Sequence, residues 1–433
     1  MVDPVHSPAR QYPESYYATT IRERVPVTTL DGSISAAVCI VGGGYTGLSA
    51  ALHLARRGID AVVLEQFRIG WGASGRNGGQ VHTGQRRNQY WLERHLGKSA
   101  AHAMWDVAVG ARDHLDWLIQ NYSIDCDLRL GLLHADHKPS YLRDTRQYIE
   151  YLQREYRCED VRFVGRDEMR SLVATDDYVG GYLDDRGGHL HPLNFALGIA
   201  RAAHSHGAVL YEDAAAIRVT RKGSGWEVTA QGGRVLADRV VLACNGYLHG
   251  LSPEVEAHVM PINNFIAVTE PLGEDRARFL IQNGYAVSDS RFVVYYFRMT
   301  ADHRLLFGGG ENYSYKFPKD IGGFVHKHIR RIYPQLASVR LDFAWGGTLA
   351  ITPTRMPFIR EIAPGYFNSS GYSGMGVVLA PYLGRILADA IAGDRTEFEL
   401  LSAIPVPRFP GGGALRTPTL IAAMSFAALR DRL

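Results

Sequence analysis

The stretch that decides the fold is Ala36-Ala37-Val38-Cys39-Ile40-Val41-Gly42-Gly43-Gly44-Tyr45-Thr46-Gly47-Leu48. Residues 36–41 are a continuous apolar run, as expected of a strand covered on both faces. The glycines at 42, 44 and 47 have the Gly-x-Gly-x-x-Gly spacing, in which one allows a tight turn, one lets a pyrophosphate approach the backbone and one lets the helix pack on the strand. A helical repeat follows from Leu48. The stretch predicts a strand–turn–helix unit whose helix N-terminus binds a phosphate.

The second strand of this unit is predicted at residues 61–65. It ends at Glu65, 18 residues beyond Gly47. A carboxylate at this place accepts hydrogen bonds from ribose hydroxyls and disfavours a 2′-phosphate. Together the two strands and the helix predict a Rossmann-like α/β domain that binds a dinucleotide.

A second glycine cluster separates FAD from a nicotinamide dinucleotide. The residues Trp71-Gly72-Ala73-Ser74-Gly75-Arg76-Asn77-Gly78-Gly79 follow Glu65 closely. A nicotinamide dehydrogenase continues here with an ordinary crossover, whereas an FAD protein needs more small-residue backbone beside the ribityl chain and the ring. We therefore predict FAD as the cofactor.

Composition excludes several other classes. The 433 residues carry 47 basic and 44 acidic side chains, a net charge of +3, which disfavours a dedicated nucleic-acid binder. The four cysteines form no Cys-x-x-Cys pair, and His189-x-His191 lacks further ligands nearby, so no metal site is expected. No apolar stretch reaches the length of a membrane span, and the N-terminus has no apolar signal region. These features predict a cytoplasmic protein.

Six further segments complete a family pattern. In chain order they read GWGASGRNGGQ (70–80), HLHPLNFALGIARAA (189–203), ACNGYL (243–248), DSRFVVYYFR (289–298), LLFGGGENYS (305–314) and GYSGMGV (371–377), after GGGYTG and VVLEQ. The chain resembles the gamma-glutamylputrescine oxidoreductases of the D-amino-acid-oxidase-like FAD superfamily over roughly residues 15–400. The resemblance implies oxidation of an amine C–N bond by hydride transfer to FAD, hydrolysis of the imine, and reoxidation by oxygen or another acceptor.

The resemblance also implies a set of cofactor contacts. Met375 stands where the family usually has His, which puts any proton-shuttling role of that position in doubt. The full predicted set is Gly42, Gly43, Gly44, Tyr45, Thr46, Gly47, Glu65, Gln66, Gly72, Ala73, Ser74, Arg76, Asn77, Gly78, Gly79, Ala216, Ala243, Gly347, Gly371, Ser373, Gly374, Met375 and Gly376.

The predicted fold class is α/β, or α+β overall, with two domains built from discontinuous segments. Residues 35–95, 180–250 and 341–400 are assigned to the FAD-binding domain. Residues 96–179 and 251–340 are assigned to a substrate domain with a mixed or antiparallel sheet. Residues 1–34 are expected as an extended surface arm and 401–433 as a tail ending in a small helix (420–433).

Four residues are candidates for the substrate pocket. His82 either faces the flavin or lies on the surface, with the surface position favoured for a single unpaired histidine. Tyr295 and Tyr296 alternate across a strand, so one is expected to pack and one to line the pocket. Arg298 is either solvated or grips a substrate carboxylate. FAD is expected to be bound non-covalently, because no cysteine lies near residues 371–376 and only a histidine such as His82 offers an attachment point.

Two alternatives stay open. One is an oxidase or dehydrogenase of the same superfamily that acts on a secondary or cyclic amino acid. The other is a non-catalytic flavoprotein or one that serves RNA modification, against which the aromatic-rich segment 289–307 and the absence of a basic block both count. The sequence identifies neither the amine nor the oligomeric state.

Overall fold

The computed structural model describes residues 11–312 and 317–410, so the predicted helix at 420–433 lies outside the described residues. The helices are α1 (Tyr16–Thr19), α2 (Tyr45–Ala55), α3 (Gln89–Leu96), α4 (Lys98–Asn121), α5 (Tyr141–Tyr156), α6 (Arg166–Leu172), α7 (Pro192–Ser205), α8 (Pro253–His258), α9 (Glu274–Leu280), α10 (Ile321–Ile332), α11 (Gly376–Ile391) and α12 (Thr396–Ser402). The strands are β1 (Thr28–Thr29), β2 (Gly32–Val41), β3 (Ala61–Leu64), β4 (Gln80–Val81), β5 (Arg129–Asp136), β6 (Val161–Val164), β7 (Gly180–His189), β8 (Val209–Glu212), β9 (Ala216–Lys222), β10 (Gly225–Ala230), β11 (Gly233–Leu242), β12 (Met260–Thr269), β13 (Ala286–Asp289), β14 (Tyr296–Met299), β15 (Leu305–Asn312), β16 (Leu341–Ile351), β17 (Phe358–Ala363) and β18 (Tyr366–Ser370).

The first sheet contains the predicted strand–turn–helix unit. Its order is β1-β8-β3-β2-β11-β10-β9, with β18 on the carboxyl half of β11 and β17 beyond it. In this sheet β1, β8, β3, β2, β11 and β18 run parallel to one another, whereas β10, β9 and β17 pair with their neighbours in antiparallel fashion. Helix α2 packs against α7 and α11. The buried run of β2 and the apolar helices explain this packing, because both faces of a parallel sheet need cover.

The second sheet is mostly antiparallel and forms the other wall of the molecule. Its order is β16-β12-β15-β14-β13-β5-β7-β4, with β6 on β7, and only β13 and β5 pair in parallel. Helix α10 packs on β12, β15 and β16. These two sheets confirm the expected two-layered α/β architecture with a mixed second sheet.

Strand membership differs from the expected segment boundaries. Strands β7 (Gly180–His189) and β16 (Leu341–Ile351) belong to the second sheet, although segments 180–250 and 341–400 were assigned to the FAD-binding side. Strand β7 was not predicted from the sequence, because its glycines weaken the pattern that is typical of a strand.

Within the described part of the N-terminal segment, residues 15–19 are not an extended surface arm. Ser15 caps α1, and Tyr16 and Tyr17 of that helix are buried. The Tyr16 hydroxyl donates to Asp302 at 2.7 Å, next to the second sheet, and the Tyr12 hydroxyl donates to the Ile69 carbonyl at 2.8 Å, next to the first. The expectation failed because burial of the Tyr16 and Tyr17 rings stabilises a docked segment even though the segment is polar on average.

Two local expectations were also wrong: a strand over residues 291–298 and a helical region over residues 89–157. Strand β14 starts at Tyr296 rather than near 291, because the Asp289 carboxylate accepts the N–H groups of Arg291 and Tyr295 and closes a loop between them. The region 89–157 is not wholly helical, since β5 interrupts it. His191 lies immediately before α7, where its Nδ1 accepts the Asn194 N–H and caps the helix.

Among residues 11–312 and 317–410, no single helix has the length and apolarity to cross a membrane. One pair bent by 118°, α11 with α12, passes that test on length and composition alone.

Candidate functional site

A cavity of about 590 Å³ lies between the two sheets, at the carboxyl ends of β2, β3 and β11. Ligands in open α/β sheets bind at this edge. The predicted cofactor residues that line it are Gly42, Gly44, Tyr45, Thr46, Glu65, Gln66, Gly72, Ala73, Ser74, Arg76, Asn77, Gly78, Ala216, Ala243, Gly347, Ser373, Gly374, Met375 and Gly376. The predicted residues absent from the lining are Gly43, Gly47, Gly79 and Gly371.

The glycine turn before α2 is shaped by two close backbone approaches. A Cβ at Gly42, whose φ is +113°, would lie 2.7 Å from the Ala243 carbonyl oxygen, and a Cβ at Gly47 would lie 2.0 Å from the Gly42 carbonyl oxygen. Helix α2 has no side-chain cap, and the Tyr45 N–H donates to Ser74 Oγ at 3.0 Å. The first turn of α2 therefore presents N–H groups to the cavity beside a serine from the second glycine cluster, as a pyrophosphate site requires.

Glu65 is buried at the end of β3. Its Oε2 accepts the Gly43 N–H at 2.8 Å and its Oε1 accepts the Phe67 N–H at 3.0 Å. Burial raises the pKa of Glu65 to about 7, against the opposing effect of these hydrogen bonds. Each carboxylate oxygen keeps a lone pair for a further donor, such as a ribose hydroxyl.

The second glycine cluster folds back on itself through Asn77. The Asn77 amide donates to the carbonyls of Ala73 and Ser74, both at 3.0 Å, and its Oδ1 accepts the Gly79 N–H at 2.7 Å. A Cβ at Gly79 would lie 2.1 Å from the Leu190 carbonyl oxygen. Asn77 and Gly79 thus fix the backbone of Gly78 against the cavity.

Arg76 provides a test of whether the cavity fits FAD. Its side chain is buried, with Nε donating to the Trp71 carbonyl at 2.7 Å and Nη1 to the Gly346 carbonyl at 3.2 Å. Its Nη2 is buried with no hydrogen-bond partner among the described residues. A buried cationic donor left unpaired is costly, so a cavity wall that holds one calls for an acceptor from a ligand. FAD, which is rich in carbonyl and phosphate oxygens, fits this wall.

A second helix N-terminus meets the same cavity. Helix α11 begins at Gly376 without a side-chain cap, and Ser373, Gly374, Met375 and Gly376 line the cavity. Hydroxyl groups of Thr46 and Tyr372 bond at 2.5 Å and join α2 to the loop before α11. Two helix N-termini therefore place partial positive charge on one cavity, which stabilises negative charge on a bound group.

His82 lies in the cavity wall rather than on the surface, which corrects the favoured expectation. His82 directly follows the short strand β4, and the pairing of β4 with β7 places it at the cavity. Burial, with a smaller contribution from Arg86, lowers the pKa of His82 to about 4. The imidazole is consequently neutral at neutral pH.

The two tyrosines lie in different places. Tyr296 lines the cavity from the first position of β14, whereas Tyr295, in the loop just before that strand, bonds His328 Nδ1 at 2.8 Å. Asn264, Ser288 and Phe317 line the cavity as well. No sequence motif marks these three, which are single residues on β12, β13 and the segment before α10.

Arg298 does not face the cavity and cannot grip a substrate there. It is 4% exposed, and its guanidinium donates to the carbonyls of Gly78 at 3.0 Å and Leu190 at 3.2 Å, and to the Tyr17 hydroxyl at 3.3 Å. The carboxylate-clamp hypothesis for this residue is therefore wrong, because backbone carbonyls take its donors. Arg298 instead fastens the Gly78–Gly79 backbone to the second sheet.

Two other arginines, Arg86 and Arg355, line the cavity. They lie on separate loops that are tied together by Arg87, whose Nε donates to the Thr354 carbonyl at 2.9 Å. Arg355 has a left-handed φ of +66°. Among the described lining residues the acidic side chain is Glu65, at the end of β3. The sequence had no signal that singled out these two arginines among 47 basic residues.

Comparison with protein families and curated proteins gives consistent matches. The family described as "FAD dependent oxidoreductase" (DAO) matches residues 37–390. A "Probable oxidoreductase OrdL" of Rhizobium meliloti is 42% identical over 96% of this chain and 97% of its own length. The "Gamma-glutamylputrescine oxidoreductase" of Escherichia coli is 38% identical over 98% of this chain and 99% of its own length.

Solved structures agree in fold. The glycine oxidase of Geobacillus kaustophilus superposes with a TM-score of 0.72 at 20% identity, covering 86% of this chain and all of that one. An L-proline dehydrogenase from P. horikoshii superposes with a TM-score of 0.69 at 20% identity, covering 86% of this chain and 96% of that one. At these identities the likeness concerns the fold.

Proposed function

The chain belongs to the family of FAD-dependent oxidoreductases and acts on CH–NH bonds, and from this premise we propose that its substrate is a gamma-glutamyl amine of the gamma-glutamylputrescine type. The observation that carries the proposal is the 38% identity, over nearly the whole of both chains, to the Escherichia coli enzyme named for that substrate. Oxygen or another acceptor then reoxidises the flavin.

The residues that would hold FAD are those at the two helix N-termini. The turn before α2, with Ser74, would hold the pyrophosphate, Glu65 would accept hydrogen bonds from a ribose, and residues 373–376 would lie beside the ring. When bound, FAD accepts a hydride from the carbon next to the substrate nitrogen. The partial positive charge at the start of α11 favours the negative charge that this transfer brings.

The substrate end of the cavity supports an amine that binds in its neutral form. Tyr296, Phe317 and the neutral His82 form part of the wall. These three described side chains carry no negative charge, and surroundings of this kind disfavour an ammonium ion. Neutral amines yield hydride, whereas ammonium ions do not. His82 and Tyr296 are accordingly our candidates for substrate contact.

Arg86 and Arg355 support a carboxylate at the far end of the substrate. A guanidinium binds a carboxylate through two parallel hydrogen bonds. The gamma-glutamyl group carries such a carboxylate, remote from the reacting carbon, and its binding energy helps to orient the C–H bond. These arginines replace Arg298 in the role first expected of it.

Anaerobic mixing of the purified enzyme with a substrate panel tests the proposal. The panel contains gamma-glutamylputrescine, putrescine, glycine, sarcosine and L-proline, and flavin bleaching is followed at each concentration before air is admitted. We expect gamma-glutamylputrescine to bleach the flavin with the highest second-order rate constant. Faster bleaching by proline or another amino acid would favour the amino-acid oxidase alternative, and slow return of colour in air would indicate an acceptor other than oxygen.

We expect the flavin to be non-covalent. Cys244 is the cysteine that lines the cavity, and its thiol donates to the Val41 carbonyl at 3.4 Å while burial raises its pKa to about 12. Such a thiol is not nucleophilic at neutral pH. Acid precipitation should leave the yellow colour in the supernatant; colour that stays in a washed pellet would contradict this, and His82→Ala would then test the attachment site.

A further inference from the structure

The ring of Tyr296 occupies a slot made by two glycines. A Cβ at Gly78, on the second glycine cluster, would lie 2.4 Å from the ring, and a Cβ at Gly308, paired with Tyr296 across β15, would lie 1.9 Å from it. Real Cβ atoms do not approach so closely, so any other residue at either position would displace the ring. The phenol is therefore held in one place, between the wall that faces FAD and the second sheet.

The hydroxyl group of Tyr296 has its hydrogen committed. It donates to Asn264 Oδ1, on the neighbouring part of the sheet. The other end of the same amide is fixed, because Asn264 Nδ2 donates to the Gly310 carbonyl at 3.4 Å. A flipped amide would set its oxygen against that carbonyl, so the orientation of the Asn264 side chain follows from the backbone.

From this chain of contacts we propose that the Tyr296 oxygen accepts a hydrogen bond from the amine N–H of the substrate. Asn264 is then a positioning residue, because it engages the hydrogen of the Tyr296 hydroxyl and leaves that hydroxyl an acceptor. Both side chains line the cavity. A hydroxyl whose hydrogen is engaged offers lone pairs only, and lone pairs bind N–H donors and repel oxygen acceptors. The inference rests on the proposed function, since it assumes an amine in this cavity.

The arrangement orients the amine as well as selecting it. When one N–H of a neutral amine is held by the Tyr296 oxygen, the nitrogen lone pair has a defined direction relative to the adjacent C–H bond. An oriented lone pair assists departure of the hydride, so the contact is expected to contribute to kcat as well as to binding. An ether of the same shape has no hydrogen to donate at this point and would place its own oxygen against the Tyr296 oxygen.

Tyr296→Phe tests the first half of the proposal, with Tyr295→Phe as its matched control. Phenylalanine keeps the ring in the glycine slot and removes only the hydroxyl group. The control makes the same change one residue earlier, at a hydroxyl that bonds His328 outside the cavity. The substrates are gamma-glutamylputrescine and its N,N-dimethyl derivative, which has no N–H in its neutral form, and rate constants are compared per neutral amine.

For Tyr296→Phe we expect about a tenfold loss of kcat/KM on the primary amine, the usual effect of one hydrogen bond, and less than a twofold change on the dimethyl derivative. Tyr295→Phe should leave both within twofold. Equal losses on the two substrates with Tyr296→Phe, or no loss on either, would overturn the proposal.

Asn264→Leu tests the positioning role with a readout that a merely structural role would not move. The variant releases the Tyr296 hydrogen, so the hydroxyl becomes able to donate. The probe is the methyl ether in which OCH₃ replaces the terminal NH₂, used as an inhibitor of the holoenzyme. We expect its inhibition constant to fall by about fivefold or more in Asn264→Leu, and this gain to disappear in the double variant with Tyr296→Phe. An unchanged or weaker ether affinity in Asn264→Leu would overturn the role of Asn264.

The substrate assignment and this inference can be tested independently of each other. If a different amine bleaches the wild-type flavin fastest, the proposed substrate is wrong, and the same variants are measured with that amine, its N,N-dimethyl derivative and its ether analogue. Loss of the N–H preference in Tyr296→Phe would then still support the inference, and its persistence would overturn it.

Discussion

Arg298 and Arg355 are the same residue type in very different surroundings. Arg298 is buried and donates to the carbonyls of Gly78 and Leu190, whereas Arg355 lines the cavity from a loop. The sequence singled out Arg298 because it follows an aromatic strand, and it offered no reason to choose Arg355. Which donors of an arginine are already occupied depends on backbone carbonyls brought from distant segments, and no local pattern records those.

The first prediction separates these two arginines. Arg298→Met should lower the free energy of unfolding by about 2–3 kcal/mol, because buried carbonyls lose a charged donor, and should reduce kcat/KM on gamma-glutamylputrescine and putrescine by the same factor. Arg355→Met, its matched control, should lose roughly 30-fold on gamma-glutamylputrescine and almost nothing on putrescine. Urea unfolding and steady-state kinetics measure both. A substrate-selective loss in Arg298→Met would restore it as the carboxylate clamp.

Glu65 gives a prediction about pH. Its pKa of about 7, raised by burial above the usual 4.5, means that the folded apoprotein takes up a proton as the pH falls through 7. Ribose hydroxyls donate to the carboxylate, so protonation weakens FAD binding by up to tenfold for each pH unit below 7. The effect on stability has the opposite sign, because a raised carboxyl pKa stabilises the fold in acid and this contribution is lost as the pH rises through 7.

Fluorescence titration of the apoprotein with FAD between pH 5.5 and 8.5 measures this dependence. The dissociation constant should rise towards low pH in the wild type. Glu65→Gln cannot ionise. Its dissociation constant for FAD should therefore be larger than that of the wild type at pH 8 and should not change with pH across the range. A flat profile in the wild type would mean that Glu65 does not contact the ribose.

At the scale of elements, periodicity located most of the structure and failed at predictable places. Helix α2 and strands β2 and β3 lie close to their predicted positions. The sequence pattern also predicts helices over residues 100–121, 140–156, 193–207, 321–333 and 376–391 and a strand over 262–270, and α4, α5, α7, α10, α11 and β12 lie close to these ranges. Strands β5 and β7 were missed, since β5 lies between two long helices and β7 is rich in glycine. The cofactor side of the cavity was predictable because its glycines are grouped in short clusters along the sequence. The substrate side was not, because Asn264, Ser288 and Phe317 come from separate elements and meet only in the folded chain.

The start of α2 carries a prediction for the phosphate site. Gly44 is its N-cap, with an extended backbone that any residue can adopt, and an added Cβ would lie 2.9 Å from Ser74 Oγ at the cavity wall. Gly44→Val should therefore fold but bind FAD at least tenfold more weakly, because the side chain fills pyrophosphate space. Gly165 is a matched control, as the extended N-cap of α6 whose Cβ would meet nothing within 4 Å.

Flavin absorbance per chain after gel filtration, together with the thermal midpoint, checks this prediction. Gly165→Val should retain the flavin content of the wild type. If Gly44→Val also retains it, the phosphate does not lie at this turn.

At the scale of the whole molecule, the two sheets are joined by a segment that composition alone would leave on the surface. Tyr17 of α1 is fully buried, with ring centroids 4.9 Å from His191 and 5.2 Å from Trp345, and its hydroxyl accepts from Arg298 at 3.3 Å. His191 precedes α7 on the first sheet, and Trp345 lies on β16 of the second. The segment thus closes the back of the Gly78–Gly79 wall, and we expect cofactor binding to be coupled to its docking.

The last prediction tests that coupling. Tyr17→Ala removes a fully buried ring and should lower the free energy of unfolding by about 3–5 kcal/mol, the usual cost of an aromatic cavity in a core. It should also reduce FAD retention, because Arg298 loses a partner next to the Gly78 carbonyl. Phe279→Ala, which truncates an aromatic ring that is 65% exposed, should change stability by no more than about 0.5 kcal/mol and leave the flavin bound. Urea unfolding and flavin content per chain measure both variants. If Tyr17→Ala is as mild as Phe279→Ala, the two sheets hold the cofactor wall without help from the N-terminal segment.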